Sequence, residues 1–122
     1  GPEHLGINVS IKNALNDKKP ILYGDGLSKR NYIFVDDAAR IILKLIKKKK
    51  KGIFYIAGET VTFKKMFEHI YNFWFPRTNI IQRKLKNKTQ DQLSVISKNF
   101  SFYTTFRNSL KEINKKKIKH VQ

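Results

Sequence analysis

The sixteen residues Tyr23-Gly24-Asp25-Gly26-Leu27-Ser28-Lys29-Arg30-Asn31-Tyr32-Ile33-Phe34-Val35-Asp36-Asp37-Ala38 constrain this chain most tightly. Gly24 and Gly26 tolerate positive φ, and Asp25 between them can accept a bond from its own turn backbone, so all three read as turn residues. The turn leaves a short apolar strand, Ile21-Leu22-Tyr23, and enters an extended piece over residues 31–35 that alternates around Tyr32, Ile33 and Phe34. Asp36 or Asp37 is then expected to cap a helix, where a carboxylate meets the positive end of the helix dipole. Arg30 stands between turn and strand, with its backbone anchored on both sides. A planar guanidinium held in that way can grip a phosphate bidentately. The competing role is a surface arginine paired with Asp25 or Asp36.

Periodicity extends the pattern along the chain. Ile7, Ile11, Ala14 and Leu15 predict a helix over residues 7–17, ended by Pro20. The helix after the turn is expected over residues 37–48, burying Ala38, Ile41, Ile42, Leu45 and Ile46, with Lys47 to Lys51 at its negative pole and Gly52 as its stop. Residues 53–58 read as a buried strand and Thr62 as the cap of a helix carrying Phe63, Met66, Phe67, Ile70, Tyr71 and Trp74 on one face. A further strand is expected over residues 80–85. Residues 93–96 fit a strand or a helix start equally. Thr104 or Thr105 opens a last helix along Phe106, Leu110 and Ile113, and the lysine-rich end should fray. Helix and strand alternate throughout, which predicts an α/β layer with short, partly parallel strands.

With 122 residues, 40% hydrophobic content and 15 aromatics, one folded domain is expected. The absence of cysteine excludes disulfides, thiolate zinc sites and cysteine nucleophiles. The three scattered histidines give no metal-ligand spacing. No run approaches the length of a membrane-spanning helix. The net charge of +17 invites a nucleic-acid reading. However, 21 of the 26 basic residues are lysines, and Ile and Asn are abundant, as an AT-rich coding sequence would produce. Polyanion or nucleic-acid binding is therefore expected to be non-specific.

The string from Gly24 to Asp37 resembles a segment of the extended short-chain dehydrogenase/reductase family, specifically its NAD-dependent sugar-nucleotide epimerases and dehydratases. There the pattern runs Gly-Asp-Gly-x-Gln-x-Arg-Asp-aromatic-x-x-Val-Asp-Asp, within the carboxy-terminal, substrate-binding part. Ser28 replaces the usual glutamine and Asn31 the usual aspartate. The resemblance implies that Arg30 contacts the diphosphate of a sugar nucleotide, and that Arg83, on a late strand, is a candidate for a second phosphate contact, with Lys84 or Lys86 as alternatives. It implies a chiefly structural role for the Val-Asp-Asp string and a cytoplasmic setting. It also implies NAD as cofactor of the intact enzyme, a homodimer as one possible assembly of that enzyme, and a start in mid-domain. On this reading Gly1-Pro2 is native sequence, not the scar of a proteolytic cut.

Two hallmarks of that family are missing from the sequence. No Gly-x-x-Gly-x-x-Gly spacing exists for a dinucleotide, and no tyrosine has a lysine four residues on. The expectation is thus a substrate-binding portion over residues 1–122 whose NAD-binding domain is absent, with no catalytic residue of its own. A small basic polyanion-binding module and a non-functional gene remnant are the alternatives.

Overall fold

The computed structural model describes residues 6–52, 56–84 and 104–121. Eight elements follow one another: α1 (Ile7–Leu15), β1 (Ile21–Tyr23), β2 (Lys29–Tyr32), α2 (Val35–Lys47), β3 (Glu59–Thr62), α3 (Phe63–Trp74), β4 (Ile81–Arg83) and α4 (Phe106–Val121). The strands form two separate pairs. β1 runs parallel to β4, with Ile21 opposite Ile81 and Tyr23 opposite Arg83. β2 runs antiparallel to β3, with Arg30 opposite Val61 and Tyr32 opposite Glu59. The mixed α/β layer is as expected.

α3 is the central element because its apolar residues recur on one broad face. Met66 and Ile70 pack with Ile11 and Ala14 of α1 and with Phe106 and Leu110 of α4. Phe67 and Tyr71 pack with Leu22 of β1. Thr62 caps this helix, its hydroxyl accepting from the Lys65 amide at 3.1 Å. The buried Tyr71 hydroxyl donates to the Pro20 carbonyl at 2.6 Å and accepts from the Ile81 amide at 3.2 Å, fastening β1 and β4 to the same helix. A phenol buried in an apolar core needs such partners, and here it has both.

Several elements differ from expectation. α2 starts two residues earlier than expected, after Phe34, with no side-chain cap bond. Neither Asp36 nor Asp37 caps it, because both lie within its first turn. Ile41 is buried and Ala38 and Leu45 are half-buried, but Ile42 and Ile46 are exposed. The helix therefore has an apolar arc wider than the core it touches. Gly52 does not stop it. Lys49 does, at φ 51°, with the Lys49 amide bonding Ile46 and the Lys50 amide bonding Leu45. The expected strand at 53–58 falls partly outside the described residues, and 56–58 are irregular. Pairing with β2 instead makes a strand of Glu59–Thr62. The choice at 93–96 lies outside the described residues. α4 continues as helix to Val121 through the lysines expected to fray.

Candidate functional site

The turn between β1 and β2 is held from three sides. Asp25 accepts from the Leu27 amide at 2.9 Å, the turn bond its sequence position predicts. The Gly24 amide donates to the Arg83 carbonyl at 2.8 Å, and the Gln82 side-chain amide donates to the Gly24 carbonyl at 2.7 Å. The Gly26 carbonyl accepts from the Lys64 amide at 2.8 Å and the Ser28 carbonyl from the Phe63 amide at 3.1 Å. Gly26 has φ +72°, and a Cβ there would stand 3.0 Å from both Leu22 and Lys64. Only glycine fits a positive-φ site so close to a neighbouring helix.

Both expected phosphate contacts lie on strands that flank this turn. Arg83 ends β4 beside the residue that enters the turn, and Arg30 sits on β2 where the chain leaves it. Arg30 is half-buried. Its guanidinium carbon lies 4.7 Å from the ring centroid of Phe63, the first residue of α3, and one guanidinium nitrogen donates to the Lys29 carbonyl at 2.9 Å. A guanidinium over an aromatic ring is drawn to the ring's negative face, which helps to fix its position. Arg83 is exposed, and its guanidinium donates to the Gln82 carbonyl at 2.9 Å.

Helical spacing marks Phe63 only as core, and its place under the Arg30 guanidinium emerges from the structure alone. Asn31 was also underrated. Its side-chain oxygen accepts from the Gly58 amide at 2.8 Å, while its nitrogen donates to the Gly58 carbonyl at 3.2 Å and to the Thr60 hydroxyl at 3.1 Å. An aspartate could accept from the Gly58 amide and the Thr60 hydroxyl but could not donate to the Gly58 carbonyl. The Asn31 side chain thus extends the β2–β3 ladder next to Arg30. Gly58 allows this approach, since a Cβ there would fall 1.9 Å from the Tyr32 carbonyl oxygen.

Asp36 and Asp37 belong to the scaffold. The Asp36 carboxylate pairs with the Lys116 ammonium at 2.8 Å. Asp37 is buried and accepts from the Thr104 amide at 2.6 Å and the Thr104 hydroxyl at 2.9 Å. Burial pushes the Tyr32 phenol above its ordinary value, with a smaller opposing effect from the hydrogen bond to Ser109. A cleft of about 330 Å³ opens between α1, the β2–α2 junction and α4, lined by Asn8, Tyr32, Phe34, Val35, Ile113 and Lys116 among others. Neither arginine lines it. No group of three metal-ligating side chains occurs among the described residues. No described helix is long and apolar enough to cross a membrane.

The stretch that holds the turn, Arg30 and the start of α2 also matches a known family model. Residues 5–58 match the model of the NAD dependent epimerase/dehydratase family. Among solved structures, a dTDP-glucose 4,6-dehydratase from Bacillus anthracis in complex with NAD superposes with a TM-score of 0.73 at 25% identity, over 97% of this chain and 40% of that one. A UDP-N-acetylglucosamine 4-epimerase from Bacillus cereus gives 0.71 at 23% identity, over 88% and 39%. A UDP-glucose 4-epimerase from Thermotoga maritima with UDP-glucose gives 0.72 at 18%, over 93% and 39%. Comparison with the curated proteins gave no match. The α/β layer is therefore shared with sugar-nucleotide enzymes, and this chain spans about two fifths of their length.

The Gly24–Gly26 turn does not fit the pyrophosphate of NAD. It leads from strand to strand, so no helix amino terminus follows it to receive a pyrophosphate. The first amides of α3 are already bonded to Gly26 and Ser28.

Proposed function

We propose that this chain is the substrate-binding portion of an NAD-dependent sugar-nucleotide epimerase/dehydratase and holds the nucleotide diphosphate. The observation that carries the reading is Arg30, stacked on Phe63 at the mouth of a rigid turn inside the family-matched segment. Arg83 is the second phosphate contact, joined to the same turn through its backbone. The dinucleotide site and the residues that move protons and hydride belong to an NAD-binding portion outside this chain. Catalysis, the choice of sugar and any homodimer are properties of the assembled enzyme.

The test is a thermal-shift titration of the purified chain with UDP-, dTDP-, GDP- and CDP-sugars at moderate salt. A sugar-nucleotide-selective rise in melting temperature is expected. Arg30→Ala should weaken binding roughly tenfold or more, as loss of a charge-assisted contact does. Arg83→Ala should weaken it less, because that side chain is exposed and Arg30 is half-buried. Selective binding unchanged by Arg30→Ala would refute the site.

The net charge of +17 favours a second reading, a basic module that binds polyanions without selectivity. In that case every nucleotide, and pyrophosphate alone, would shift the melt in proportion to its charge. Arg30→Ala would then matter no more than Lys29→Ala.

A further inference from the structure

His69 stands where α3 meets the start of α4, away from the Arg30 site and unused by it. Its ring lies 6.2 Å from that of Phe106, the buried first residue of α4, at an angle of 43°. Phe106 in turn packs on Met66 and Ile70 of α3 and meets Tyr32 edge to face at 4.8 Å. The half-buried imidazole is therefore part of the contact that joins the two helices. Charged groups face it from three elements: Lys65 and Glu68 of its own helix, Glu59 of β3 and Arg107 of α4. Both carboxylates are already engaged. Glu68 pairs with Lys65 at 3.5 Å, and Glu59 accepts from the Phe106 amide at 2.8 Å. The positive end of the α4 dipole adds to the two cations and disfavours further positive charge at this point. A neutral imidazole suits this cluster, and an imidazolium suits it only by drawing a carboxylate away from its present partner.

We propose that His69 is a pH-sensitive latch on α4. The neutral ring leaves Glu59 on the Phe106 amide, whereas the protonated ring competes for Glu59 and loosens the entry to the helix. Burial pushes the His69 imidazole below its ordinary value; Lys65 and Arg107 act in the same direction, and Glu59 and Glu68 oppose them. The unfolded chain therefore takes up this proton at a higher pH than the folded chain does. The joint has its full strength above the ordinary imidazole range and loses it as pH falls through that range and below. The latch does not depend on what the Arg30 site binds.

Two measurements on the full chain test it. The first follows the His69 ring by NMR, its signal assigned by disappearance in His69→Gln. That ring should titrate below the ordinary imidazole value. The second compares amide exchange at the start of α4 with that of α3, corrected for intrinsic rates, at about pH 7.5 and about pH 5.5. This window spans ordinary imidazole titration and ends above the ordinary carboxylate range. On acidification the Phe106 amide and its neighbours should exchange roughly two- to fivefold faster relative to α3, the effect of an unfavourable charge at a helix amino end. His69→Gln should remove that change. Glu59→Gln keeps an acceptor for the Phe106 amide but offers no charge to capture, so it too should lose the response.

A His69 ring that titrates at or above the ordinary imidazole value overturns the proposal. Acid loosening that persists in His69→Gln overturns it in favour of other titrating groups, and loosening that persists in Glu59→Gln overturns the capture of Glu59. Equal acceleration of α3 and α4 overturns it in favour of a global loss of stability.

Discussion

Asp17 and Lys49 adopt left-handed backbone, at φ 60° and 51°, where glycine is the usual occupant. Each is the first residue past the carboxy cap of its helix, and each closes the same pair of bonds. The Asp17 amide reaches Ala14 and that of Lys18 reaches Asn13, as Lys49 and Lys50 reach Ile46 and Leu45. The hydrogen bonds hold these residues against their own conformational preference. Lys49→Gly should therefore stabilise the chain by up to about 1 kcal/mol, the cost a side chain pays in left-handed backbone. A rise of a few degrees in melting temperature would show it, about the change such an increment causes in a domain of this size. A fall would mean that the lysine side chain itself contributes. The sequence gives only a weak sign at Asp17, since aspartate tolerates left-handed backbone, and none at Lys49.

At the scale of elements, the entry to α4 is tied by carboxylates from distant strands and helices. Asp37 of α2 receives the Thr104 amide and hydroxyl, and Glu59 of β3 receives the Phe106 amide at 2.8 Å. Asp36 holds α4 again three turns on, through Lys116. Thr105 caps the helix locally, its hydroxyl accepting from the Asn108 amide at 3.2 Å, and the tertiary carboxylates satisfy the amides on either side of it. Asp37→Ala should cost about 2–3 kcal/mol, because it leaves a buried amide and hydroxyl without their charged acceptor. Asp37→Asn should cost less, since its carbonyl still accepts one bond. Urea denaturation measures both, and faster amide exchange in α4 than in α3 would localise the loss. Equal stability of Asp37→Ala and the parent chain would show that water replaces the carboxylate.

For the molecule as a whole, charge and incomplete cover dominate. A surplus of 17 positive charges repels itself and attracts any polyanion. Binding to a random DNA duplex should therefore occur at low salt and fall by roughly 10³-fold or more between about 50 and 200 mM, as counterion release requires. A sequence preference, or affinity that survives the higher salt, would mark a dedicated nucleic-acid surface instead. The chain places its largest core around α3 but leaves the outer face of α2 open, so its stability on its own is expected to be marginal.

Much of the organisation could be read from residue order alone. The strand before Gly24, the Asp25 turn, the Thr62 cap and the burial of Met66, Phe67, Ile70 and Tyr71 all follow from short-range stereochemistry and periodicity. These are effects of neighbours within about four residues, and such neighbours are written in the sequence. Tertiary structure decided what depends on partners far along the chain. It made Glu59–Thr62 a strand, turned Asp37 from a presumed cap into the acceptor for Thr104, and set the Arg30 guanidinium over Phe63. It also left Ile42 and Ile46 exposed, because the 3.6-residue period marks which faces are apolar but not which of them meets a core.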